Sequence, residues 1–264
     1  MPRPVVTFLS DFGAGSGYPA QMKGEVLRRL PEATLVDLSH EVAPFDVPGG
    51  ALLLEACVPH FPAAAVHLAV VDPGVGTPRR PLCVVDAEGR RLVGPDNGLF
   101  TPFLRAGSAA FLLADPSIVP RDPSPTFHGR DLFAPVAAWL AGGGNPERLG
   151  PQVTDPVTLD WPVPVRLADA IEGRCLAADP FGNLVTSIRR TDLADEAIEA
   201  VTVGGRPARL VATFGEGEPA ELLALWGSGG RLEIAVREGS AAGESGLGRG
   251  TPVRLRLRAI RGEP

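Results

Sequence analysis

An α/β domain followed by a smaller all-β domain is the fold that this sequence of 264 residues predicts. Three observations predict it. Apolar, strand-like runs ending in Gly/Pro loops alternate with helix-period segments as far as residue 150 or so, which implies a largely parallel, helix-covered sheet. Prolines then recur at 146, 151, 156, 162 and 164 without periodicity, and residues 151–165 read as a linker. From 166 to 264 short alternating runs are separated by Gly-rich turns, the pattern of a barrel or sandwich.

The elements follow in order. Val5 to Leu9 reads as a buried strand that runs into Ser10-Asp11-Phe12-Gly13 and a loop with Gly15 and Gly17. A helix is expected from about Tyr18 to Leu30, with Pro19 tolerated in its first turn and Met22, Val26, Leu27 and Leu30 facing inward. Thr34 to Leu38 is a second strand, and Pro48 to Val58 a second helix that Asp46 is placed to cap. Strands are expected at Ala65–Val71, Leu82–Asp86 and Arg91–Val93; Phe111–Ala114 is short and apolar, and a helix follows over Leu132–Ala141, stopped by Gly142-Gly143-Gly144. In the second domain, Val201–Val203, Arg209–Thr213, Leu232–Val236 and Val253–Ile260 are the clearest strands.

Composition narrows the function. The net charge is -6, and the 25 basic residues form no basic run, which argues against nucleic acid as a partner. Three cysteines, Cys57, Cys83 and Cys175, are far apart in apolar surroundings and read as buried thiols of a reducing compartment. No apolar run approaches the roughly 20 residues that span a bilayer, and the N-terminus enters a strand directly, so a cytoplasmic, membrane-free protein is expected. No pair of His, Cys, Asp or Glu has ligand spacing on one element, so no metal site is expected.

Chemistry concentrates on Asp72-Pro73-Gly74-Val75-Gly76-Thr77-Pro78-Arg79, which follows the apolar strand ending at Val71. Ligands of open α/β sheets collect beyond the carboxyl ends of strands, where Asp72 lies. Two readings stand for this stretch alone: a ligand-facing carboxylate, or a turn cap with Arg79 paired to it. The segment Pro125-Thr126-Phe127-His128-Gly129-Arg130-Asp131 favours the first, since His128 sits at the lip of a helix and Asp, Arg and His together hold an imidazole in one geometry. His40, His60 and His67 have no companions in sequence that lift them above structural roles. The Gly13/Gly15/Gly17 spacing is not the dinucleotide G-x-G-x-x-G, so a plain tight turn and a polar-ligand loop both remain open there.

Five blocks then occur in one order: Ser10-Asp11-Phe12-Gly13 with Met22-Lys23-Gly24; Asp72 to Thr77 with Arg79; Gly94-Pro95-Asp96-Asn97-Gly98-Leu99; Thr126 to Pro135; and Asp179-Pro180-Phe181-Gly182-Asn183-Leu184. With these the chain resembles the S-adenosylmethionine hydroxide adenosyltransferase family, relatives of the fluorinating and chlorinating enzymes that use the same substrate. The resemblance implies a homotrimer, with substrate held between the first domain of one subunit and the second of its neighbour. It implies attack of water or hydroxide on ribose C5′ of S-adenosyl-L-methionine, giving adenosine and L-methionine, with no cofactor. Asp72, Arg79 and His128 match the family's triad, in which Arg79 and His128 are expected to orient the water while Asp72 balances their charge.

Other roles carried by the resemblance are substrate contacts. Asp11 matches the carboxylate that holds the ribose hydroxyls, and Phe45 and Phe127 match aromatic positions of the site. Phe181 is expected to stack on the adenine and Asn183 to hold the adenine or the amino-acid portion. Ser228 lies where the family contacts the methionine carboxylate, with Gly229 in place of the fluorinating enzymes' Arg. Glu238 matches a position that meets adenine through its backbone. Ser16 stands where the family usually carries Asp, losing charge-assisted strength there. Asp72 and His128 fit the hydrolytic branch, because a carboxylate beside a halide site would repel the anion. A chlorinating activity and a non-catalytic adenosine or S-adenosylmethionine binding module are the alternatives.

Overall fold

The strand that opens the chain, β1 (Val5–Ser10), has no polar face: Val6 through Ser10 are all fully buried, with parallel neighbours on both sides. Those neighbours are β2 (Thr34–Ser39) and β3 (Val66–Val70). In this computed structural model, which describes residues 3–194 and 196–258, β4 (Pro81–Val85), β5 (Arg91–Pro95), β6 (Ala109–Leu112) and β7 (Gln152–Val153) complete a mixed sheet. Its order is β2-β1-β3-β5-β4-β6-β7. The first four strands of that order are parallel, and the rest join antiparallel. The change of direction has a local cause: the tight turn after β4, closed by Asp86 N–H to Arg90 O at 3.0 Å and Arg90 N–H to the Asp86 carboxylate at 2.8 Å, leaves no room for a helical crossover.

α1 (Tyr18–Arg29) and α3 (Ala134–Ala141) cover one face, burying Met22, Val26, Val136 and Leu140 against Val6, Phe8, Val66, Leu68 and Val70. α2 (Val47–Cys57) lies on the other; Asp46 caps it through Gly49 N–H at 3.1 Å, as the sequence predicts. Gly50 lets α2 approach closely, since a Cβ there would lie 3.0 Å from Leu99 and 3.1 Å from Val71. The segment after β7 is tied to the first sheet: Val157 N–H donates to Asp96 at 2.7 Å and Leu159 N–H to Thr101 Oγ1 at 2.9 Å. The chain divides into two compact units, Met1–Asp160 and Trp161–Pro264.

The second unit comprises β8 (Val165–Arg166), β9 (Ala170–Ala178), β10 (Leu184–Arg189), β11 (Ile198–Val203), β12 (Arg206–Leu210), β13 (Leu223–Trp226), β14 (Arg231–Ala235), a short α4 (Ala241–Ser245) and β15 (Pro252–Leu257). Pairing of β9 with both β10 and β15 closes seven strands into a barrel, with β8 added to β9. Ile171, Leu184, Ile188, Val201, Leu232, Ile234 and Leu255 fill it. Of the strand expected over Val253–Ile260, Ala259 and Ile260 lie outside the described residues. Among the described residues no helix is long and apolar enough to cross a membrane.

Candidate active site

The carboxyl ends of the four parallel strands line one edge of the first sheet: His40 follows β2, Asp11 follows β1, Asp72 follows β3, and Asp96-Asn97 follow β5. Asp72 and Arg79 meet across their Gly/Pro loop. Arg79 Nε donates to both Asp72 oxygens, at 3.1 and 3.0 Å, and Nη2 donates to Oδ2 at 2.5 Å. The Asp72 side chain is 3% exposed and that of Arg79 9%, so neither charge is tolerable without the other. Arg79 Nη2 also reaches His128 Nδ1 at 2.8 Å, which joins the three expected residues into one hydrogen-bonded line.

That bond fixes the imidazole. A guanidinium only donates, so Nδ1 of His128 must carry the lone pair and the ring proton sits on Nε2. Burial holds the His128 pKa below its ordinary value; the Arg79 charge adds to this, and Asp72 and Asp131 partly oppose it. At neutral pH the triad is therefore an ion pair with a neutral imidazole whose Nε2–H is a donor. Phe133 underlies both partners, 5.3 Å from the Arg79 guanidinium carbon and 6.5 Å from the His128 ring.

The local fold that presents His128 differs from the expected helix start. Gly129–Phe133 form a single π turn, with Ala134 N–H bonded to Gly129 O, before α3 begins. Asp131 steadies it by accepting Ser124 N–H at 3.0 Å and pairing with Arg130. Gly129 has a packing reason: a Cβ there would lie 2.9 Å from Met22 Sδ and 3.4 Å from Phe127.

Asp11 Oδ2 accepts Phe45 N–H at 2.9 Å. Phe45 is 69% exposed and has φ 67°, a left-handed conformation rare for an aromatic residue, so it is not ordinary core. Phe127 is buried, packed edge-on to Phe12 at 5.8 Å and Tyr18 at 5.2 Å, with Arg130 over its face. Ser16 donates to Gly13 O at 3.1 Å within the same loop.

In the barrel unit, Asp179 organises a turn by accepting Phe181 N–H at 2.9 Å, Asn183 N–H at 2.8 Å and Asn183 Nδ2 at 2.9 Å. Asn183 is buried and Phe181 is 78% exposed. This turn abuts the one carrying Glu238, since Gly182 packs on Ser240 and its carbonyl accepts Ala242 N–H at 2.9 Å. Glu238 is left-handed, with φ 54°. Ser228 is exposed in the turn between β13 and β14, closed by Gly230 N–H to Gly227 O at 2.9 Å.

Sequence reasoning leaves His40 without companions, and the fold supplies them. Ser10 Oγ lies 2.7 Å from His40 Nδ1, and His40 Nε2 lies 2.9 Å from Asp37, which pairs with Lys23 at 2.6 Å. In a neutral ring with Nε2–H given to the carboxylate, Ser10 donates to Nδ1 and its lone pairs accept Phe12 N–H at 3.3 Å. The backbone carbonyl of His40 also accepts Gly13 N–H at 2.7 Å, so β2 anchors the Asp11 loop. Only the pairing of β1 with β2 brings Ser10 to His40; no spacing within the sequence signals it. Phe133 is likewise unassigned by sequence, although it stands five residues after His128 in the same block. Among the described residues no group of three or more His, Cys, Asp or Glu side chains is arranged to hold a metal ion.

Comparison with known proteins gives the following. Residues 6–150 match the model of the SAM hydroxide adenosyltransferase N-terminal domain, and residues 173–254 that of the C-terminal domain. A protein of Thermus thermophilus named (R)-S-adenosyl-L-methionine hydrolase is 45% identical over 96% of this chain and 99% of its own. A fluorinase of Nocardia brasiliensis is 30% identical over 72% of this chain and 73% of its own. The crystal structure of an uncharacterized conserved protein from Thermotoga maritima superposes with a TM-score of 0.85 and 32% identity, covering 95% of this chain and 99% of that one.

Proposed function

Because the chain belongs to the SAM hydroxide adenosyltransferase family, we propose that it is an S-adenosyl-L-methionine hydrolase that forms adenosine and L-methionine. The observation that carries this reading is the Asp72–Arg79–His128 line, with an imidazole held as a donor. Oxygen of water forms a bond to ribose C5′ while the C5′–S bond breaks, sulfur keeps the bonding pair as a neutral thioether, and the surplus proton leaves to solvent. The sulfonium is already a good leaving group, so the difficulty lies with water, whose pKa is about 15.7. Both Asp72 oxygens are engaged by Arg79, which supports a charge-balancing role for Asp72. Nε2–H of His128 and the Arg79 guanidinium then orient the water oxygen and stabilise the hydroxide that develops.

Asp11 retains Oδ1 for the ribose hydroxyls while Oδ2 holds Phe45 in place. Phe45 and Phe181 are the exposed aromatics assigned to the nucleoside, and Asn183, Ser228 and the Glu238 backbone to the adenine and amino-acid ends. Ser16, in the loop after β1, and Phe127, in the segment before the π turn, are assigned to the substrate as well. No cofactor takes part. The working assembly is a homotrimer in the cytoplasm, in which a neighbouring copy's barrel completes each site.

Incubating the purified protein with S-adenosylmethionine, with and without chloride, tests the reading by chromatography of the nucleosides. Adenosine and methionine in both buffers, lost in His128→Ala, are expected. 5′-Chloro-5′-deoxyadenosine would place the chain with the halogenating enzymes, and unreacted substrate would leave a binding module. Restoring the usual carboxylate by Ser16→Asp is expected to lower KM about three- to tenfold through a charge-assisted contact; equal Michaelis constants would remove Ser16 from the binding site.

A further inference from the structure

Resting on the hydrolytic reading above, we propose that Asp96 and Asn97 are positioning residues for the reaction: together they hold the two ends of the loop that carries Asp72 and Arg79. The block Gly94-Pro95-Asp96-Asn97-Gly98 takes no part in the chemistry described so far, yet it meets that loop at both ends. β3 and β5 pair in parallel as far as Leu68 opposite Val93. Gly94 then approaches so closely that a Cβ would lie 2.2 Å from Ala69 O, which keeps the two chains together past the last ladder pair. Asn97 Nδ2 donates to Val71 O at 2.8 Å, fixing the residue just before Asp72.

The other end is held by the adjacent residue. Asp96 N–H donates to Arg80 O at 2.9 Å, and Arg80 Nε donates back to Asp96 Oδ2 at 2.7 Å, fixing the residue just after Arg79. Neither side chain is spare: Asn97 Oδ1 accepts Leu99 N–H at 3.2 Å and Asp96 Oδ1 accepts Val157 N–H at 2.7 Å. Two neighbours in sequence thus set the distance between the ends of an eight-residue loop, 72–79, whose own turns are closed by Val75 N–H to Asp72 O at 3.2 Å and Thr77 N–H to Gly74 O at 3.1 Å. That distance decides whether Arg79 can reach Asp72 and His128 at once. A loop free to shift by 1 Å loses on the order of a hundredfold in rate without losing substrate.

The test compares the full chain with Asn97→Ala, Asn97→Asp and Asp96→Asn. Asn97→Asp keeps the acceptor for Leu99 N–H and the side chain's shape while it replaces the donor to Val71 O by a carboxylate oxygen, so it separates the bond from general packing. In each variant kcat is expected to fall about ten- to a hundredfold with KM within about twofold, the split of an interaction realised in the transition state. In Asn97→Asp the ratio of variant to parent kcat should recover as pH falls through the carboxylate range, because a protonated acid again donates to Val71 O. A second readout is independent of turnover: 15N NMR of His128 should report the single Nε2–H form in the parent and mixed tautomers in the variants. Unchanged kcat with an unchanged tautomer, or a lower thermal midpoint with both unchanged, would overturn the inference. Absence of turnover by the parent would fail the hydrolytic reading alone, and the tautomer would still judge the clamp.

Discussion

Arg79→Lys is expected to lower kcat for adenosine formation by about three orders of magnitude, equivalent to about 4 kcal/mol of transition-state stabilisation, with a much smaller change in KM. The reason is shape rather than charge. The guanidinium spans from Asp72 to His128, with Nε and Nη2 on the carboxylate and Nη2 also on Nδ1 of the imidazole. An ammonium is a compact charge on a flexible stem and does not reproduce that fork. Lysine still neutralises the buried Asp72, so the fold is not asked to hold an unpaired carboxylate, which alanine would demand. What disappears is the donor to Nδ1, and with it the pinning of the proton on Nε2. Steady-state kinetics alongside thermal denaturation decides the point. A kcat within tenfold of the parent at an unchanged thermal midpoint would mean that the fork is not what organises the site.

Much of this was legible in the sequence because it is written locally. Asp72, Arg79 and His128 stand in loops whose Gly and Pro content marks strand ends and a helix lip, and the α/β-then-β order follows from periodicity alone. What escaped depends on partners distant in sequence. The Ser10–His40–Asp37–Lys23 chain exists because β1 and β2 pair side by side, and the Asn97–Val71 bond because β5 lies next to β3. The antiparallel half of the first sheet was hidden for a related reason: the Asp86–Arg90 turn replaces a crossover, and only its tightness, not strand composition, sets direction. The π turn before α3 escaped because i to i+5 bonding leaves no apolar period of its own to read.

His67 belongs to that hidden class, and it limits the acid tolerance of the fold. It lies fully buried on β3, five residues before Asp72, facing Thr7 Oγ1 through Nδ1 at 2.8 Å and Phe61 edge-on at 5.8 Å. Its Nε2 has no hydrogen-bond partner among the described residues, so a doubly protonated ring would be a buried charge with its Nε2–H unpaired. Burial is the main reason its pKa falls from 6.5 to about 4; the Arg90 charge adds to this and Asp86 opposes it. The sign follows from the depressed value. Below pH 6.5 the unfolded chain takes up a proton that the native protein refuses until about pH 4, so stability falls throughout that interval and no further below it. At about 1.4 kcal/mol per pH unit the interval costs about 3 kcal/mol, a large share of a typical domain's margin. Denaturant unfolding of the parent and of His67→Gln at pH 7 and pH 4.5 measures this as a difference of differences, in which contributions from His128 and the carboxylates cancel. The parent is expected to lose about 2–3 kcal/mol more than the variant between the two conditions; parallel losses would show that the buried imidazole is not the acid-sensitive group. The same strand delivers Asp72 to the sheet edge, so protonating its centre undoes the platform on which the triad is assembled.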